Sequence, residues 1–104
     1  MLTLTTDTVP GREIAAPLGL VRGSTVRAKH VGADVMAAFR NLVGGEVREY
    51  GTLLSDAREQ ALARMIDEAR TLDADAIVAV RLQTSTIMGA ASEVVAYGTA
   101  VRLA

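Results

Sequence analysis

Cysteine and tryptophan are absent from this chain of 104 residues; phenylalanine, histidine and lysine occur once each, tyrosine and proline twice each. Without cysteine there is no disulfide framework, no thiolate metal site, no thiol nucleophile and no redox couple. Eleven Lys and Arg face twelve Asp and Glu, and no basic run occurs, which argues against a dedicated nucleic-acid binder. The longest aliphatic run, Ala76–Val80, falls far short of the roughly 20 apolar residues that cross a bilayer. Residues 1–7 have no charged start followed by an apolar core and cleavage site, so the expected compartment is the cytoplasm. No Gly-x-Ser-x-Gly, His-Glu-x-x-His or calcium-loop spacing occurs, and Gly44-Gly45-Glu46 lacks the terminal Lys of a phosphate-binding loop. His30 beside Lys29 reads as a solvated loop residue, because imidazole chemistry needs a partner within reach.

What is present is apolar and small. Half of the residues are hydrophobic, mostly Ala, Val and Leu, and the mean hydropathy is +0.28. A domain of this size buries only about 60 to 65% of the surface its unfolded chain exposes, so much apolar area stays outside. Burial against copies of itself resolves that tension, and a homo-oligomer is expected. No linker, repeat or low-complexity stretch divides the chain, which predicts one domain over residues 1–104.

Leu2–Thr5 alternates as a short strand does, and Val9-Pro10-Gly11-Arg12 carries Pro and Gly where a type II turn needs them. From Glu13 to Arg27, Ile14, Ala16, Leu18 and Leu20 recur with period two, predicting a strand with one apolar face. Pro17 places it at a sheet edge, and Gly19 and Gly23 signal a bulge or a close backbone approach. A short helix is expected from Asp34, with Val35, Met36, Phe39, Leu42 and Val43 as its stripe and Gly44-Gly45 as its stop. A longer one is expected from about Leu53 to Leu72, with Leu54, Ala57, Ala61, Met65, Ala69 and Leu72 inward and its charges solvated. Two strands follow. Ala76–Ile87 is expected to turn Ala76, Val78, Val80 and Leu82 to one side, and residues 88–92 to link it as a hairpin to Glu93–Leu103. The last strand is apolar on both faces, which predicts a central position flanked by the other two in a split β-α-β arrangement.

Gly19-x-Val21-x-Gly23, Arg40-x-x-Val43-Gly44-Gly45 with Tyr50, Ala57-Arg58-Glu59-x-Ala61, Ala69-x-x-Leu72-x-Ala74-Asp75-Ala76-Ile77-Val78 and Gly98-Thr99-Ala100-Val101 together resemble the YbjQ-like family. The resemblance runs through nearly the whole chain in order. It implies an α+β, dodecin-like β-α-β-β subunit with an antiparallel sheet, an extra N-terminal strand that helps oligomerisation, a homopentamer, and a family label of heavy-metal binding with no established activity. Glu46, Val47 and Gly51 stand where the family often has Arg, a small hydroxyl residue and Glu, and Asp73 stands where it favours Gly. Asp73 must then adopt a left-handed conformation.

The polar residues without an evident packing demand are Arg40, Glu46, Glu49, Tyr50, Arg58 and Glu59, read as a loop over 44–51 joined to the start of the long helix. Arg40 and Arg58 lie beside apolar stripes, so their guanidinium groups are expected to run along half-buried ground and need carboxylate or carbonyl partners. One reading makes these residues ion pairs that lock the fold or the ring. Another makes them a ligand or cation pocket, in which a ring repeats one carboxylate around its axis and favours a hard or borderline divalent metal ion. The expected function is an oligomeric binding module for a small ligand or metal ion, without catalytic activity of its own. The alternatives are a purely structural or protein-docking ring and an enzyme whose site is shared between subunits.

Overall fold

The computed structural model describes residues 1–28, 48–88 and 91–104. Four strands, β1 (Leu2–Thr3), β2 (Ile14–Ala28), β3 (Ala76–Met88) and β4 (Ala91–Leu103), form one sheet in the order β1-β3-β4-β2. The helix α1 (Arg48–Thr71) lies across β2 and β4. β4 pairs antiparallel with both neighbours and occupies the centre, as its two apolar faces require, and β2 with Pro17 is an edge strand. β2 and β3 therefore run parallel on either side of β4, a split β-α-β unit closed by the β3–β4 hairpin. β1 pairs parallel with β3, so the sheet is mixed and not wholly antiparallel as expected. The expected short helix over 34–43 lies outside the described residues.

Small residues let the helix come close. Ala57, Ala61, Met65 and Ala69, each four residues apart, are fully buried against Val21, Ile77, Val80, Val94, Ala96 and Ala100. Leu62 and Ile66 widen this stripe, while Leu72 is exposed beyond the helix end. At Gly23 a Cβ would strike the Ala61 carbonyl oxygen and the Met65 amide nitrogen directly, so only glycine admits this backbone-on-backbone contact. Arg64 donates from Nη1 to the Ser24 carbonyl at 2.6 Å beside it. Asp56, Glu59, Asp67, Glu68 and Arg70 are exposed, and Asp67 pairs weakly with Arg70 at 3.4 Å.

The helix ends as its residues prescribe. Ala74 donates to the Ala69 carbonyl and Asp73 to that of Arg70, the paired bonds of a Schellman cap, with Asp73 at φ 56° in the left-handed region. The Val9–Arg12 turn also forms: Arg12 donates to Val9 at 3.0 Å and Gly11 takes φ 81°.

Bulges overturn two of the expected apolar faces. β2 slips register between Ile14 and Ala16 and again between Pro17 and Gly19, where Gly19 takes φ 122°. Ile14 consequently packs in a second cluster on the sheet face away from the helix, Leu18 packs on the helix side, and Leu20 is exposed. In β3 the shift falls between Val78 and Arg81, with Ala79 at φ 53°. Ala76 and Val78 thus join the second cluster with Val9 and Val101, while Val80 turns to the helix and Leu82 stays exposed. An extra residue reverses every later side chain, which a strict period of two cannot anticipate. The bulge also exposes amides that the N-terminal segment satisfies: Ala79 donates to Thr6 at 2.8 Å and Val80 to Leu4 at 2.9 Å.

Two substitutions test this packing. Gly23→Ala should cost about 3 kcal/mol or more, because its obstacles are helix backbone; Gly98→Ala, which also meets movable Ile77 and Val80 methyl groups, should cost less, both read from urea midpoints. Asp73→Gly should raise stability by about 0.5 to 1 kcal/mol by relieving the left-handed strain.

Candidate functional site

β2 and α1 run antiparallel where they touch, since Gly23 meets the Ala61–Met65 turn and Arg27 meets Gln60. The C-terminal end of β2, the N-terminal half of α1 and the β3–β4 hairpin therefore share one end of the molecule. The candidate residues fall in the sequence between and along these two elements.

Glu49 and Tyr50 belong to the first turn of α1, and Gly51 is helical too. The expected helix start at Leu53 is corrected to a helix from Arg48, so residues 48–51 of the expected loop over 44–51 are helical. Arg58 and Glu59 are both exposed in mid-helix. Arg58 thus lies on solvated ground and not on the half-buried ground expected of it. Nine residues of helix separate Glu49 from Arg58, a rise of about 13 Å, so these two pairs occupy different levels of one subunit. Arg40 and Glu46 lie outside the described residues. Among the described residues no group of three or more His, Cys, Asp or Glu side chains converges to hold a metal ion.

A different polar group stands under the helix. Thr25, on the same β2 face as Val21 and Gly23, is 3% exposed, and its hydroxyl has no hydrogen-bond partner among the described residues. Arg27, two residues on and half-buried, donates from Nη2 to Gln60 Oε1 at 2.9 Å, while its Nε is buried without a partner among the described residues. Sequence reasoning passed over these residues. The available signal was the alternation Val21, Gly23, Thr25, Arg27, which carries a hydroxyl and a guanidinium onto the buried face of the strand.

Residues 1–104 match the family described as "putative heavy-metal-binding", YbjQ_1. The chain belongs to this YbjQ-like family. Its relatives include UPF0145 proteins of Archaeoglobus fulgidus, 58% identical with 99% of this chain and 95% of the relative covered, and of Methanosarcina acetivorans, 50% identical with 99% and 97% covered. A solved structure of a protein of unknown function in the DUF74 family, from Pediococcus pentosaceus, superposes with a TM-score of 0.65. That alignment covers 100% of this chain and 98% of the other at 15% identity, and it shows a shared α+β fold. No described helix of this family member is long and apolar enough to cross a membrane.

The exposure of Arg58 carries an energetic consequence. Arg58→Ala should shift stability by no more than about 0.5 kcal/mol in urea unfolding, well below the 1 to 3 kcal/mol expected of a buried guanidinium that leaves carboxylates unpaired.

Proposed function

We propose that this YbjQ-like protein is a cytoplasmic, ring-forming module, a homopentamer by family resemblance, that binds a small ligand or metal ion and has no catalytic activity of its own. The observation that carries the assembly is the sheet face turned away from the helix. There Leu20 and Val26 are 63% and 57% exposed at the two ends of the row Leu20, Arg22, Ser24 and Val26, whose middle members stand in register with half-buried Tyr97 and Val95 of β4. Large exposed aliphatic side chains on one face of a small chain favour cover by another protein surface. The molecule also extends 54 × 25 × 17 Å with a radius of gyration of 17.3 Å, against about 13 Å for a compact chain of this length. Among the described residues the outer edge of β2, and that of β3 beyond Val80, pair with no strand, so backbone donors and acceptors stand ready for a neighbour.

The candidate site is the set Arg40, Glu46, Glu49, Tyr50, Arg58 and Glu59. A ring brings copies of each carboxylate around an axis, which supports a site that no single subunit completes. Oxygen ligands without cysteine favour a hard or borderline cation, and the family's heavy-metal description is compatible with the borderline end of that range.

Light scattering after gel filtration should return a mass several times 10.9 kDa, and a monomer at micromolar concentration would refute the assembly. Native mass spectrometry with elemental analysis, on protein purified without a metal-affinity tag, should find a metal or metabolite in stoichiometric amount. Glu49→Gln and Tyr50→Phe should remove it while leaving ring mass and melting temperature unchanged. An apo ring that instead holds a protein partner would favour the docking alternative.

A further inference from the structure

We propose that Thr25, Arg27 and Gln60 form a binding site for an oxyanion, the carboxylate or phosphate group of a small ligand, held between β2 and the helix. Buried donors in folded proteins are nearly always satisfied, so two unsatisfied ones within two residues on the same face of one strand are informative. Their chemistry agrees. Arg27 Nε–H can only donate, and the Thr25 hydroxyl can donate to the same acceptor, so both lack what an anionic oxygen supplies. Positions two apart on a strand lie about 6.6 Å apart at Cα, within the reach of an arginine side chain turned toward its neighbour.

Gln60 orients the guanidinium. Its Oε1 accepts from Nη2 at 2.9 Å, which fixes the guanidinium plane and leaves the Nε–H free to donate to an oxyanion. Gln60 is neutral, so it fixes the arginine without cancelling its charge. Thr25, 97% buried by its 3% exposure, adds a third donor from the strand side, and half-buried Arg27 marks the side from which a ligand enters. The site uses none of the six side chains of the assembly reading and is complete within one subunit. Its failure would leave that reading standing, and the converse also holds.

The probes are inorganic phosphate and acetate, each titrated at constant ionic strength against chloride, with the melting temperature and the Arg27 Nε–H resonance in 15N-edited spectra as readouts. Phosphate, acetate or both should raise the melting temperature of the unsubstituted protein and move the Arg27 resonance saturably. A response to phosphate alone identifies a phosphate-type ligand, and one to acetate alone a carboxylate. Thr25→Val, which keeps the shape and removes the orphaned hydroxyl, should raise the melting temperature without anion and weaken anion binding at least fivefold. Arg27→Lys, which keeps the charge but loses the Nε–H, should abolish the response. The proposal is overturned if neither anion moves the Arg27 resonance, or if both variants respond like the unsubstituted protein, since that is a general electrolyte effect. It is equally overturned if Thr25→Val lowers the melting temperature without anion, because the hydroxyl is then satisfied within the fold.

Discussion

The contact of the helix with β2 at Gly23 is the constraint on which the rest of the structure depends. A helix normally rides on a sheet at a distance set by side chains, but here the Ala61–Met65 backbone rests on the strand where a methyl group would already collide. That approach explains why the buried stripe is Ala57, Ala61, Met65 and Ala69 and why its counterparts in β4 are Ala96 and Ala100. Larger residues would prop the layers apart and lose the contact. The scarcity of aromatics thus belongs to the architecture, because a thin interlayer space has no room for rings.

A thin core has consequences elsewhere. Among the described residues α1 covers β2 and β4 on one face, and the opposite face is covered at one end, where Val9 and Leu4 of the N-terminal segment pack on Ala76, Val78 and Val101. The bulge at Ala79 makes this possible by turning amides toward Leu4 and Thr6. Further along the same face Leu20 and Val26 remain exposed, and the apolar excess in the composition becomes a specific surface. Thr25 and Arg27 follow Gly23 on the same strand face, so the tight core and the unsatisfied donors adjoin one another.

The candidate residues were harder to read than the fold. Glu49 and Tyr50 stood out because no packing pattern claimed them, and Gly51 suggested a loop. Glycine costs a helix only about 1 kcal/mol, however, and a long helix with a well-packed stripe overrides that preference. Arg58 adjoins Ala57 in sequence, yet one residue of helix turns it by about 100° from the buried stripe into solvent. Thr25 and Arg27 escaped notice for the opposite reason. Polar residues at a strand end ordinarily face water, whereas these lie on the strand face against which α1 packs.

The sequence by itself determined the local grammar: the Val9–Arg12 turn, the helix stripe at four-residue spacing, the edge position of β2 and the central position of β4. Each depends on residues near in the chain or on the simple alternation of faces. Only the tertiary structure decided which face each half of β2 and β3 presents, because a bulge inserts one residue and reverses every side chain after it, and its placement answers to the partner strand. It likewise decided that β1 runs parallel to β3, and that a threonine and an arginine two residues apart lie beneath a helix with donors unspent. Pairing direction and burial depend on what comes to lie alongside, and that information resides in contacts between residues distant in the chain.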